Sequence, residues 1–495
     1  MTINNWDLSN FLSAIDTVFS TIVAAIEQVL FFSIAGMPLI ILWIVAGGIF
    51  CTVRMGFINV RGFKHAIDIA RGKYDDRNSS ETGGEVTAFQ ALATALSGTI
   101  GLGNIAGVAI AIQMGGPGAV FWMTLSAILG MSSKFVECTL GMKYRNIKPD
   151  GSVAGGPMYY LGRGLSQRGW PEFGKILAAV FAVFCVGASF GGGNMFQVNQ
   201  SFAALSAVFP QISNYNWLYG IIVAFLVGLV IVGGISRIGV VTSRLVPAMV
   251  VIYLAGCVWV LSTMVTEIPA AFATIVREAF DPVAIEGGIV GVLVQGIRRS
   301  AFSNGAGLGS AAIAHSAAKT EKPIQEGIVA ILEPFIDTVI ICNLTALVIV
   351  ITGMYGDRVA LGTSGSELTA MAFASVLDWF PFVLSVVIVL FGFSTLITWS
   401  YYGQQCWAYL FGEETTLIYK GIFLFFAFVG AVVNLGSVVD FSDMMLLAMS
   451  LPNLIGCVLM SDEVARDLKQ YWSDLNGKFT LIDDAEKTDK EEVMF

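Results

Sequence analysis

One motif occurs twice in this 495-residue chain, and each copy interrupts a long apolar stretch. Ser97, Gly101, Leu102, Gly103 and Ala106 recur in the same register as Ser303, Gly307, Leu308, Gly309 and Ala312. Glycine is a poor helix former, so a cluster of glycines inside a membrane-length run predicts a helix that unwinds midway. Unwound backbone at membrane depth frees N–H and C=O groups, and it is tolerated only where it lines a cavity or is buried in protein. Paired interruptions in corresponding positions of two halves therefore point to a substrate and ion site between the halves. The alternative is a pair of small-residue faces for helix packing. The shared register, the shared hydroxyl and the matching positions favour the site.

Composition places the chain in a bilayer. Mean hydropathy is +0.75, 56% of residues are hydrophobic and only 13% are charged, which excludes an ordinary soluble domain. The formal charge of −9 says little about partners in such a protein. No basic patch accompanies a nucleic-acid-binding motif, so nucleic acid is not an expected partner. The segment Met1–Glu27 lacks Lys and Arg, and so lacks the basic start of a signal peptide. Seven cysteines stand singly, without metal or redox spacing. His65 and His315 have no carboxylate or cysteine set around them in sequence, so no catalytic or metal constellation is expected and the chain does not read as an enzyme.

Apolar runs able to cross a ~30 Å core fall near 30–53, 86–112, 118–142, 176–208, 217–235, 245–266, 288–313, 327–352, 380–402, 417–436 and 442–460. These predict an all-α membrane protein of eleven spans, with 366–379 a short helix outside the membrane core. If the loop 54–85 faces the cytoplasm, cytoplasmic segments hold 22 of the 27 basic residues, which sets the N-terminus outside and the C-terminus inside. Four spans separate the two broken helices, so the second runs antiparallel to the first. That is a five-plus-five inverted repeat, about 86–266 and 288–460, preceded by one extra span. The expected organisation is an external segment 1–28, a membrane domain 29–460 and a charged, partly disordered cytoplasmic tail 461–495. Residues 57–71 read as an amphipathic helix at the inner face, with Phe57, Val60, Phe63, Ile67 and Ala70 opposite Arg61, Lys64, Asp68 and Arg71.

Polar residues beside the glycines are the candidate site. Ser97, Thr99 and Asn104 flank the first break, and Ser303, Asn304 and Ser310 the second, with Phe302 as an apolar wall. Half-helix ends offer N–H groups to an anion and C=O groups to a cation, and a zwitterionic amino acid needs both. Neither break contains a carboxylate, which argues against a cationic substrate. Ser394 and Thr395 place two hydroxyls in the ninth span. They suit a small hard cation or simply bond back to their own helix. Gln197, after the Gly191–Gly193 run, is a polar candidate in the fourth span. Among intramembrane charges, which are functional hypotheses by default, Lys134 and Glu137 are one turn apart and are expected to pair or snorkel. Glu333 and Asp337 repeat that spacing, and Arg298 or Arg299 is a candidate partner for Glu333.

These segments together resemble the alanine or glycine:cation symporter family, the sodium:alanine symporters of the amino acid–polyamine–organocation superfamily. The matching text runs from Ala95 to Ala109 and continues through Gly115–Met123, Gly155–Tyr160, Phe302–Asn304 with Ala306–Ser310, and Trp399–Gly403. The resemblance covers about 30–460 and implies a leucine-transporter-like fold. It also implies sodium-coupled import of a small neutral amino acid, alanine or glycine, by alternating access in the plasma membrane, with Na+ as coupling ion and no cofactor. Carried over by position, Thr99, Gly103, Gln197, Phe302 and Trp399 would surround the substrate, joined by Asn104 and Asn304 from their place at the breaks. Sodium would be held by carbonyls near Ser97 and Ile100 and by the hydroxyls of Ser394 and Thr395, with no other metal. One position departs: Gly305 stands where the family usually has Glu.

Other readings are a proton-coupled transporter of the same fold, with Glu333 or Glu137 titrating, or a family member for another neutral amino acid such as glutamine or serine. A channel would need a continuous polar pore, and an intramembrane enzyme a nucleophile–base or metal set.

Overall fold

The computed structural model describes residues 32–34, 36–74, 83–281, 288–355 and 365–475. The expected external segment 1–28 and tail residues 476–495 lie outside the described residues. Helices dominate, and the only strands among the described residues are two short antiparallel pairs, Ser33–Ile34 with Met37–Pro38 and Asn146–Ile147 with Val153–Ala154.

Among the described residues, eight helices are long and apolar enough to cross a membrane: Ala119–Lys143, Pro171–Val208, Pro210–Ile231, Gly234–Thr263, Pro323–Thr352, Phe380–Phe411, Glu413–Val432 and Leu435–Leu459. A bent pair, Ala88–Thr99 with Gly103–Gly115, makes a ninth, turned by 45° at the break. The two other segments expected to span are the short apolar helix Leu39–Arg54 and the interrupted Gly288–Asn304 and Ala311–His315. Each helix follows an apolar run in the sequence. The first broken helix also has a capping box: Gln90 N donates to Thr87 Oγ1 (3.2 Å) and Thr87 N to Gln90 Oε1 (3.0 Å), which fixes where it starts.

Both predicted breaks are present, but their glycines serve different physical needs. Gly305, Gly307 and Gly309 have φ of +62°, +77° and +85°, left-handed values that disfavour any side chain. Gly101 and Gly103 are not left-handed. They are small because of what lies against them. A Cβ on Gly101 would collide with Thr395 Oγ1 and come within 3.2 Å of Gln197 Oε1. One on Gly103 would sit 3.3 Å from both Phe302 Cδ1 and Ser303 Cα. The first break is thus where the second break and the Phe380–Phe411 helix approach most closely.

Peripheral elements correct three expectations. The 57–71 segment is two helices, Ile58–Arg61 and Phe63–Ala70, and its buried face is His65, Ala66 and Ile69, while Phe57 and Val60 are exposed. The cause is tertiary: residues 461–475, the described part of the tail, are helical and cover that face, with His65 Nε2 2.6 Å from Tyr471 Oη. That helix is fastened by Lys143–Glu463 at 2.7 Å and by Lys143–Asp467 and Arg54–Asp462 pairs. The short helix expected in 366–379 is Ser366–Ala374, and it is buried: Thr369 Oγ1 donates to Ile105 O (3.2 Å), beside the first break.

Candidate functional site

The first break leaves backbone groups that need partners, and polar side chains from three helices supply them. Gln197 Oε1 accepts from Leu102 N (3.1 Å) while its Nε2 donates to Gly192 O (2.8 Å). Asn104 Oδ1 accepts from Gly101 N (3.0 Å). Thr99 bonds back to Ala95 O and Leu96 O at 3.3 and 3.2 Å. In the second break, Asn304 Oδ1 accepts from Ala306 N (2.9 Å), and its Nδ2 donates to Ser300 Oγ and Thr338 Oγ1. Asn104, Gln197 and Asn304 therefore hold the unwound geometry itself.

The sodium candidates converge on Ser97. Thr395 Oγ1 donates to Ser97 O (3.0 Å), Ser97 Oγ donates to Ser394 O (2.7 Å), and Thr398 Oγ1 donates to Ser97 Oγ (3.1 Å). The Ser394 hydroxyl behaves differently. It bonds back to Phe391 O at 2.9 Å, so its carbonyl, not its hydroxyl, faces the first break. Ser394 thus bonds back to its own helix, while the Thr395 hydroxyl reaches across to the first break. The gathered carbonyl and hydroxyl oxygens are hard ligands whose present hydrogen bonds a small cation would replace.

Two aromatic walls close on the breaks. Phe302 lies edge-on to Phe196 (4.8 Å between centroids) and above Gly103 and Gly192. Trp399 Nε1 donates to Gly98 O (2.9 Å), and its ring occupies the space a Cβ on Gly193 would fill. Gly193 thus leaves room for Trp399 and Gly192 for Leu446 and Phe302, while a Cβ on Gly191 would meet Phe441 and Ser442 instead.

Carboxylates that the break sequences lack arrive from other helices. Asp337 touches both breaks: Asn104 Nδ2 donates to its Oδ1 (2.5 Å), while Ser303 Oγ and Thr338 Oγ1 both donate to its Oδ2 (2.7 Å). Glu137 Oε2 accepts from Gly309 N (3.1 Å) and Asn453 Nδ2 (2.8 Å), and that amide also donates to Gly307 O (2.8 Å). The argument against a cationic substrate, drawn from the breaks alone, loses its premise.

Three charge assignments change. Arg298 and Arg299 do not reach Glu333; both pair with Asp443, Arg298 at 3.4 Å. Lys134 and Glu137 do pair as expected, fully buried and 3.9 Å apart, but Lys134 gains a second partner the sequence did not suggest, Glu333 Oε2 at 3.4 Å. His315 is not isolated: its Nδ1 lies 2.6 Å from Glu326 Oε1, its Nε2 meets Glu333, and Cys138 is beside them. Both ring nitrogens are taken by carboxylates, so this trio is a hydrogen-bonded scaffold rather than a set of free ligands. The sequence signal for Asp337 and Glu137 was the presence of acids in apolar spans; nothing in it said which neighbours they face.

Comparison with known proteins follows the same lines. The sodium:alanine symporter family matches residues 16–481. The sodium/alanine symporter AgcS of Methanococcus maripaludis is 39% identical over 438 residues, 88% of this chain and 94% of that protein. The probable sodium/glutamine symporter GlnT of Bacillus subtilis is 35% identical over 438 residues, covering 88% and 87%. Among solved structures, MhsT in complex with L-phenylalanine superposes with a TM-score of 0.50 at 14% identity, covering 76% of this chain and 99% of that one, a likeness of fold.

Proposed function

Because the chain belongs to the sodium:alanine symporter family, we propose that it imports a small neutral amino acid, alanine or glycine, together with sodium. The leucine-transporter-like fold supports alternating access around the two breaks. Eleven spans, with the N-terminus outside and the C-terminus cytoplasmic, agree with the distribution of Lys and Arg.

The observation that carries the reading is the convergence on Ser97. Carbonyls of Ser97 and Ser394 and the hydroxyls of Ser97 and Thr395 gather between the first break and the Phe380–Phe411 helix. In the proposed cycle these oxygens, with the Ile100 carbonyl, hold sodium. The amino-acid carboxylate meets N–H groups beside Gly103, and Thr99, Gln197, Asn104 and Asn304 line or brace the pocket. Phe302 and Trp399 limit the side chain. Sodium bound at Ser97 favours the unwound form that the substrate needs, and this couples the two fluxes.

Uptake of labelled alanine and glycine into proteoliposomes, with and without an inward sodium gradient, tests the proposal. Sodium-driven accumulation is expected. Equal uptake without sodium, or uptake driven only by a pH gradient, would refute it. The second outcome is the one favoured by the buried Lys134, Glu137, Glu333, His315 and Glu326 cluster, which supplies titratable groups for a proton-coupled cycle. The glutamine alternative, suggested by the GlnT relative, is separated by competition with unlabelled glutamine.

A further inference from the structure

Away from the transport site, the inner end of Leu39–Arg54 joins the 461–475 helix around a cavity of ≈ 250 Å³. Three cations line it, Arg54, Arg61 and Lys469, together with Trp472. Arg61 donates only to the Gly56 carbonyl (3.3 Å), and Lys469 has no hydrogen bond or ion pair among the described residues. Arg54 pairs with the exposed Asp462, whose carboxyl it holds below the usual range. The neighbouring acids Glu463 and Asp467 are taken by Lys143. Three cations against one carboxylate leave the cavity electropositive.

The chain beside the cavity is built unusually. Phe57 is the one non-glycine residue with positive φ (58°) among the described residues, following Gly56 at φ 60°. Such a conformation persists only where surroundings enforce it, and it marks positions with a purpose. Its consequence here is that Phe57 and Val60 point outward, 55% and 71% exposed, next to Val53 at 61%. An apolar ridge thus runs directly from the cationic cavity, at the interfacial level where the first helix leaves the membrane. A cationic cavity with Trp472 in its wall, next to exposed apolar side chains, matches a phospholipid: phosphate inside, acyl chain along Phe57 and Val60.

We propose that this cavity binds the headgroup of an anionic phospholipid of the inner leaflet, with Arg61 and Lys469 on the phosphate and Phe57 and Val60 against the chain. The bound lipid would clamp the 461–475 helix to the end of Leu39–Arg54. The site is independent of the transport reading.

The test uses the full chain purified in neutral detergent, titrated with phosphatidylglycerol, phosphatidylcholine or soluble glycerol phosphate, and follows lipid retention by native mass spectrometry and thermal unfolding. Phosphatidylglycerol should bind saturably and raise the unfolding midpoint, and the other two should not. Arg61→Gln with Lys469→Gln should weaken phosphatidylglycerol binding roughly 25-fold. Val60→Ser, at an exposed position that leaves folding intact, should also weaken it. Unchanged phosphatidylglycerol affinity in both variants overturns the proposal. So does equal binding of phosphatidylcholine, or saturation by glycerol phosphate at the same concentration, which would mean a free-phosphate site.

Discussion

Gly103→Ala and Gly309→Ala look like the same substitution in a repeated motif, yet the structure predicts opposite consequences. At Gly309 the backbone is left-handed (φ +85°), and a Cβ would stand 2.5 Å from Pro157 Cγ and 2.9 Å from Asn453 Oδ1. The left-handed conformation alone costs an L-residue roughly 1–2 kcal/mol. The overlap with the proline ring adds about 1–3 kcal/mol of the overpacking kind. Gly103 has an ordinary φ, so alanine there gains about 0.8–1 kcal/mol of helix propensity. Against that, its Cβ meets Phe302 Cδ1 and Ser303 Cα at 3.3 Å, and those atoms must give by a few tenths of an ångström. The two terms nearly cancel for folding, but the displacement falls where the two breaks meet. Purified Gly103→Ala should therefore unfold within a few degrees of the parent while losing most alanine binding and uptake. Gly309→Ala should lose about 2–5 kcal/mol of stability. Thermal unfolding and labelled-alanine binding on the same preparations decide it. If Gly103→Ala unfolds as early as Gly309→Ala while its surviving fraction binds alanine normally, the repeat is a packing motif and the site reasoning fails.

Thr395→Ala removes the hydroxyl that reaches Ser97 O and should raise the sodium concentration for half-maximal uptake about 10-fold or more, the worth of a bond to a charged group. Ser394→Ala, whose hydroxyl bonds back to Phe391, should change it less than threefold, and a reversed ranking would contradict the assignment. Asp337→Asn replaces one of the two oxygens that accept from three donors with an NH2, itself a donor. It should cost about 1–3 kcal/mol of stability, measured by thermal unfolding, and stability at the parental level would show that the two breaks are not held by this carboxylate. Glu333→Gln leaves Lys134 with Glu137 alone as ion-pair partner and should cost about 1–3 kcal/mol; parental stability in the same unfolding assay would show that Glu333 does not hold this cluster.

What the sequence made legible follows from the kind of signal each feature leaves. Apolar runs report burial in lipid, so the long helices could be located though not bounded (Gly234–Thr263 begins well before 245, and Phe380–Phe411 runs well past 402), and glycines report local backbone freedom, so both breaks could be located. Hydroxyls are harder: Ser394 and Thr395 are adjacent, yet one bonds to its own helix and the other across to Ser97, and only the rotation of Phe380–Phe411 decides which. Charges in apolar spans announce themselves but not their partners. Arg299 faces Asp443 and Glu333 faces Lys134 and His315 because of how distant helices are turned against each other. The same blindness hid Asp337, whose three donors come from both breaks and its own helix. The start of the tail shows a related limit. Its charges suggested a solvated extension, but Val464 and Leu468 recur on one face and are buried, while Glu463 and Asp467 find Lys143.

The departure at Gly305 now has a physical setting. A Cβ there would lie 3.7 Å from Lys134 Nζ and 3.2 Å from Ser310 Oγ, so a carboxylate at this position would reach the ammonium from within the second break. In this chain the break offers no charge. Glu333 instead approaches Lys134 from the Pro323–Thr352 helix, at 3.4 Å, and that same carboxyl is bound to His315 at the end of the half-helix that follows the break. A buried cation without a counter-charge is strongly destabilising; here Glu137 stands 3.9 Å from Lys134, and the second carboxylate comes from Glu333. Placing it on Glu333 rather than at 305 ties Lys134, the restarted half-helix and the neighbouring span into one scaffold through His315 and Glu326. The glycine-rich turn is thereby left free of ion pairs, held only by hydrogen bonds such as those of Asn304, Glu137 and Asn453. The neutral bonds of that set are individually modest, and those to the Glu137 carboxylate are the stronger ones, so the proposed rearrangement of this turn would hinge on Glu137.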